Sequence, residues 1–180
     1  TSNSLTFTCE LLARHPEIQE KLYADVIQAK ENSSNLMEFI QRSTYANLVI
    51  DESMRLYPPA YFIDRISLAE DEFEGVGIGG NESLLLSIYE IHRHNDYWQQ
   101  PEKFIPERFA DGKQRKNIAY YPFGAGPRKC IGNNFAMYEM ILAISEVIAK
   151  FKIEEKKAPI QITPLITLKP KNAFLNFTPR

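Results

Sequence analysis

Cysteine is scarce in this chain of 180 residues, which holds two, Cys9 and Cys130. They make no Cys-x-x-Cys pair, so neither a disulfide scaffold nor a four-ligand zinc site is suggested, and the simplest inference is a reduced, intracellular setting, most simply the cytoplasm. Histidine is nearly as rare, at three. His92 and His94 have no carboxylate cluster or third ligand at metal spacing, so they read as solvated or packed side chains. There is no basic excess: Lys+Arg number 21 against Asp+Glu 23, a formal net charge of -2. Nucleic acid is therefore not an expected partner. No apolar run approaches the roughly 20 residues of a membrane span. The chain also lacks an initiator Met and a charged signal-peptide opening; it runs straight into helical spacing at Leu5, Cys9 and Leu12. It reads as a chain that begins within a helix, which leaves a membrane anchor upstream open.

What is present is ordinary globular material. Hydrophobic residues make up 44% and charged residues 24%, enough for one domain with a substantial core or part of a larger one. Pro16 ends a first helix near His15 and suits the first position of the next. Ile18, Leu22 and Val26 give that second helix an apolar stripe. Glu31-Asn-Ser-Ser-Asn35 is a polar loop, Leu36–Gln41 a short helical piece, and Ser43 or Thr44 a cap for the helix that follows.

That helix, from about Tyr45 to Tyr57, carries Glu52-Ser-Met-Arg55. Glu and Arg three apart share a helical face. Most such pairs are exposed and weak, but here Leu48, Val49, Ile50, Met54 and Leu56 surround the pair, so it should be buried and in need of further partners. Pro58-Pro59 stop the helix. Ala60-Tyr-Phe-Ile-Asp-Arg65-Ile reads as a strand with Arg65 and Asp64 on opposite faces. Glu72–Val76 and Ser83–Tyr89 continue a small β region around the turn Gly77–Asn81. The stretch Gln99–Asn117 has little periodicity and contains Pro106-Glu-Arg108-Phe109. Trp98 reads as packing.

The densest chemistry lies at Phe123-Gly-Ala-Gly-Pro-Arg-Lys-Cys130-Ile-Gly132. Glycines and a proline set the backbone, and a long helical pattern begins at once, with Met137, Met140, Ile141, Ile144, Val147, Ile148 and Phe151 at 3–4 spacing. A helix N-terminus and free backbone N–H groups stabilise a thiolate. Arg128 adds a planar donor fork suited to a carboxylate. Such a loop suits one thiolate binding a metal centre that carries its own acidic groups. The other reading is an inert cysteine in a glycine-rich turn.

This stretch resembles the haem-binding loop of the cytochrome P-450 family, Phe-x-x-Gly-x-Arg-x-Cys-x-Gly, met by Phe123, Gly126, Arg128, Cys130 and Gly132. Glu52-x-x-Arg55 and Pro106-Glu-Arg108-Phe109 match two further family motifs in the same order. The resemblance implies a mainly α fold with a small β region: residues 1–180 as the C-terminal, haem-binding portion of one P-450 domain, starting inside the distal, oxygen-side helix. It implies haem b (iron protoporphyrin IX) held by Cys130 as axial iron ligand, by Arg65 and Arg128 on the propionates, and by Phe123, Gly126 and Gly132 around the sulfur. Arg108 should join Glu52 and Arg55 in a structural ion set. Ala60, Tyr61 and Phe62, with Leu165 and Ile166 of a terminal hairpin (Ile160–Leu168 with Phe174–Phe177), should line the substrate pocket. Thr1 is a candidate for the oxygen-side threonine. Where the family usually has a Pro-Lys-Gly-Thr-like turn, this chain has Gly79-Gly80-Asn81-Glu82.

The activity implied is haem-thiolate monooxygenation of an apolar small molecule by O2. NAD(P)H-derived electrons would arrive through a redox partner (ferredoxin, flavodoxin or a separate or fused reductase) on the Cys130 side, where Arg115 and Lys129 form a basic patch. The fragment alone should bind haem poorly and be inactive. The competing classes are a haem-binding sensor, or an inactive relative that keeps the fold as an interaction module. A dinucleotide loop is disfavoured, because Lys129 stands at the third glycine position of Gly-x-Gly-x-x-Gly and no βαβ pattern follows.

Overall fold

The computed structural model describes residues 1–155 and 160–180. Pro16 divides the first helical stretch as expected: α1 (Ser2–Arg14) ends at His15, and α2 (Pro16–Glu31) starts on the proline. Asn35 caps α3 (Leu36–Arg42) by accepting the Glu38 N–H at 2.9 Å. The cap of α4 (Thr44–Leu56) comes from elsewhere than its own sequence. The Ser43 hydroxyl donates back to Phe39 O, whereas the Asp25 carboxylate of α2 accepts the Tyr45 N–H at 3.1 Å and the Thr44 hydroxyl at 3.2 Å. A carboxylate near the positive end of a helix serves both hydrogen bonding and the helix dipole.

β1 (Phe62–Ile66) continues from the Pro58-Pro59 break. β2 (Asp71–Phe73) and β3 (Val76–Ile78) form a hairpin closed by Glu74-Gly75, both at positive φ (50° and 81°), as a mirror-image two-residue turn requires. Gly77 and Ile78 thus lie within a strand, and only the rest of the expected turn at Gly77–Asn81 falls in the connection to β4 (Ser83–Ser87), which pairs antiparallel with β1, Arg65 opposite Leu84. α5 (Ile88–Ile91) follows. Residues 92–132 hold only 3-10 turns, at Pro106–Phe109, Gln114–Lys116 and Gly126–Arg128. α6 (Asn133–Lys150) then buries Met140, Ile141, Ile144 and Ile148 against α2 and α4.

The last strands pair differently from the expected terminal hairpin. β5 (Phe151–Glu155) pairs with β8 (Leu175–Pro179), while β6 (Gln161–Pro164) pairs with β7 (Leu168–Lys171). Alternation identifies strand residues but carries no information on partners. The main core is the shared interior of α1, α2, α4 and α6. A second, aromatic core of Trp98, Phe109, Ala119 and Tyr120 organises the irregular segment before the cysteine loop. Among the described residues no helix is long and apolar enough to cross a membrane.

Candidate functional site

Glu52 and Arg55 lie one turn apart on α4 and both side chains are 0% exposed. Arg55 Nε and Nη2 donate to the two carboxylate oxygens at 2.7 and 3.0 Å. Arg108 Nε reaches the same carboxylate at 2.9 Å, and so does the Ile105 N–H. The remaining guanidinium hydrogens go to backbone carbonyls: Arg55 to His92 O and Lys103 O, Arg108 to Gln99 O. The three charges named from sequence therefore form one satisfied set. It binds the chain from 92 to 108, which has few regular backbone hydrogen bonds of its own, to the C-terminal half of α4.

The cysteine loop is folded by two left-handed glycines, Gly124 (φ +72°) and Gly126 (φ +67°), a conformation that costs any residue with a Cβ. Gly124 N–H closes a turn onto Tyr121 O at 3.0 Å, and Cys130 N–H donates to Phe123 O at 2.9 Å. Gly132, at φ -86°, is needed for no such reason; a Cβ there would stand 3.9 Å from Cys130 Sγ, in ordinary contact. Cys130 is exposed and sits just ahead of α6. The other thiol is of a different kind: burial pushes Cys9 up to about 12, which leaves it protonated and inert.

A cavity of about 380 Å3 opens beside the loop. Its walls are Thr1, the residue that caps α1, Ser4 of α1, Met54 of α4, Ala136 and Met140 of α6, Pro59, Ala60, Ile63 and Arg65 of the β1 region, Thr167, and Phe123, Arg128 and Cys130 of the loop. Folding thus brings Thr1, Ala60, Arg65, Phe123, Arg128 and Cys130 to one space. Gly126 and Gly132 shape the loop without lining that cavity. Tyr61, Phe62, Leu165 and Ile166 lie outside its lining; the Tyr61 hydroxyl donates to Leu165 O at 2.7 Å and so pins the β6–β7 turn, which presents Thr167 to the cavity. Pro59, Ile63, Ser4 and Thr167 went unnoticed in the sequence. For Ile63, strand alternation from Arg65 was the available signal.

Two observations bear on what the cavity fits. Among the described residues neither Arg65 nor Arg128 forms an ion pair, and Arg65 makes a single hydrogen bond, to the neighbouring Asp64 O. No group of three or more His, Cys, Asp or Glu could hold a bare metal ion among those residues. One thiol, apolar walls and two free guanidiniums suit a flat apolar group that brings its own metal and its own acidic substituents.

The opposite side of the loop is more polar. Asp51, buried beside Glu52, pairs with Arg115 and accepts the Tyr120 hydroxyl at 3.0 Å. Burial raises the Asp51 carboxyl above its ordinary range, with Arg115 opposing, and raises the Tyr120 phenol well above 10. The expected basic patch is therefore partly neutralised, since Arg115 is committed to Asp51 and Lys129 is not. The two histidines also part company. His94 is exposed beside Asp96, whereas His92 is 0% exposed and stacked on Tyr120.

A family model described as Cytochrome P450 matches residues 1–177. Cytochrome P450 3A18 of Rattus norvegicus is 36% identical over 183 residues, covering 97% of this chain and 36% of the relative. Cytochrome P450 3A11 of Mus musculus is 33% identical over 189 residues, with 100% and 37% covered. Lithocholate 6-beta-hydroxylase of Mesocricetus auratus is 34% identical over 183 residues, with 97% and 36% covered. The chain spans little more than a third of the length of these relatives.

Proposed function

The chain belongs to the cytochrome P450 family, and on that footing we propose that residues 1–180 are the C-terminal, haem-binding part of a haem-thiolate monooxygenase domain, α1 being the end of the oxygen-side helix. The observation that carries this reading is the cavity that joins one exposed thiol to two guanidiniums, without carboxylate partners among the described residues, across apolar walls. Bound haem b supplies the iron at which O2 is activated, one oxygen atom entering an apolar substrate and the other leaving as water.

The chain's own residues prepare that site. Cys130 would hold the haem iron as thiolate and push electron density toward it. Arg65 and Arg128 bind the two propionates by charge-assisted hydrogen bonds. Phe123 packs beside the sulfur and limits water there. Thr1, at the cap of α1, and Ser4 within it offer hydroxyls to the same cavity, and these would be the groups of this chain able to hand on a proton there. Ala60, Ile63 and Thr167 stand where an apolar substrate would be held, and a hydroxylase among the relatives agrees with that reaction class. Electrons derived from NAD(P)H arrive through a redox partner docking on the Cys130 side. Lys129 and Lys116 are the charges to reverse in testing that docking, because Arg115→Glu would also break the Asp51 pair.

The test is the carbon-monoxide difference spectrum of the reduced, complete protein beside its Cys130→Ala variant. A strongly red-shifted Soret band, lost in the variant, is expected. Haem uptake without the shift would indicate a sensor or inactive relative, and no haem uptake would overturn the reading.

A further inference from the structure

His92 is a buried histidine with both ring nitrogens engaged. Its Nε2 stands 2.7 Å from the Tyr121 backbone N–H. That group can only donate, so Nε2 is unprotonated and the hydrogen is on Nδ1. Nδ1 lies 3.2 Å from Arg55 O, one of the last carbonyls of α4, which the helix itself leaves without a partner. The link is reciprocal, because Arg55 Nη1 donates to His92 O at 2.7 Å. The ring is therefore a rigid neutral spacer between the end of the ion-set helix and residue 121.

Residue 121 begins the turn that shapes the cysteine loop. Tyr121 O accepts the Gly124 N–H at 3.0 Å, and Phe123, inside that turn, accepts the Cys130 N–H at 2.9 Å. The preceding residue is held as well, since Tyr120 stacks on the His92 ring with 5.3 Å between centroids and ties its hydroxyl to Asp51. Without His92, the Tyr121 N–H would be a part-buried donor that has lost its partner, and the turn would lose its tie to the end of α4.

We propose that His92 is a positioning residue for the cysteine loop: its neutral imidazole, clamped between Arg55 O and Tyr121 N–H, sets where Phe123 O meets Cys130 N–H and so where the sulfur stands. The proposal rests on Cys130 being the iron ligand. His92 touches neither the cavity nor the sulfur; it acts through two backbone hydrogen bonds and a turn. A packing histidine would serve the aromatic core equally well as a phenylalanine, and this distinguishes the two roles.

The experiment uses the complete haem-loaded protein with His92→Phe, which keeps a ring and drops both hydrogen bonds, and His92→Gln, whose amide can accept and donate. Amide hydrogen exchange is followed at Tyr121 and Cys130, alongside the reduced carbon-monoxide spectrum. His92→Phe should speed exchange at both amides by at least tenfold and move a substantial fraction of the band from the thiolate position to the thiol position, and His92→Gln should restore most of each. Unchanged exchange at Cys130 in His92→Phe would overturn the proposal. Cys130→Ala run in parallel keeps the two ideas apart: a red-shifted band surviving there would overturn the ligand assignment itself. If His92→Phe does not fold, nitrogen-15 spectra of the wild-type ferrous carbon-monoxide form give the second measurement. They should show His92 protonated on Nδ1 alone, and a proton on Nε2 at neutral pH would refute the clamp.

Discussion

Phe123 O accepts the backbone N–H of Cys130 at 2.9 Å, which closes the cysteine loop into a ring whose bends are made by Gly124 and Gly126. The sulfur's position is therefore a property of the loop backbone as well as of the helix that follows it.

The glycines should separate into two classes on substitution. Gly124→Ala puts a Cβ 3.7 Å from Ile63 Cδ1, an ordinary contact, so its cost comes from the positive φ and should be about 1–2 kcal/mol. Gly126→Ala should cost about the same, with nothing near its added carbon. Gly132→Ala should leave stability nearly unchanged, because its φ suits any residue, while placing a methyl beside Sγ. Thermal melts of the three variants, with the haem spectrum, check this ordering.

The ion set should be strongly asymmetric. Glu52→Ala leaves the fully buried Arg55 without its carboxylate and should destabilise by about 3–5 kcal/mol. Arg108→Ala removes a partner that is 10% exposed and leaves Glu52 paired with Arg55, so a smaller loss is expected. Denaturant unfolding of both variants and of the double variant measures the coupling; equal losses would contradict this arrangement.

Burial pushes the His92 imidazole down to about 3 from an ordinary 6.5, with the charges of Arg55 and Arg93 acting in the same direction. Between those values the unfolded ring binds a proton that the folded ring refuses. Its contribution to stability is complete above pH 6.5 and is lost as pH falls toward 3, by at most about 1.4 kcal/mol per pH unit. The raised carboxyl of Asp51 works in the opposite sense, so the quantity to measure is the difference between wild type and His92→Gln. That difference in unfolding free energy should move steadily in favour of His92→Gln from about pH 6.5 to about pH 4.5.

Gln19 offers a test away from the cavity. Its buried amide accepts the Ile153 N–H at 2.8 Å and donates to Ile153 O at 2.9 Å and Leu12 O at 3.0 Å, pairing α2 with β5 as another strand would. Gln19→Leu keeps the volume and leaves the Ile153 N–H and C=O unpaired, while Leu12 O keeps the His15 N–H, at about 1–3 kcal/mol. Faster exchange of the Ile153 amide than of the rest of β5 is the expected signature.

Much of this was readable in the residues themselves. Helix boundaries at Pro16 and Pro58-Pro59 follow from local sterics, and the apolar stripes of α2 and α6 follow from periodicity. The pairing of Glu52 with Arg55 was readable from their helical spacing, whereas the arrival of Arg108 followed only from the resemblance of Pro106-Glu-Arg108-Phe109 to a family motif. Strand pairing was not, since β5 and β8 contain only alternation and no mark of their partner. His92 was missed for a related reason: an isolated histidine looks the same whether solvated or clamped, and its partners are backbone groups that any sequence would supply.

Residue type and spacing along the chain were enough for the local elements, for the loop that carries the exposed thiol and for the family to which the chain belongs. Packing in three dimensions was needed to see that Asp25 caps α4, that Arg115 is committed to Asp51, that Thr167 rather than Leu165 faces the cavity, and that His92 joins Arg55 to Tyr121. Each of these is a contact between groups far apart in the chain, set by how the helices pack, and no local pattern encodes it.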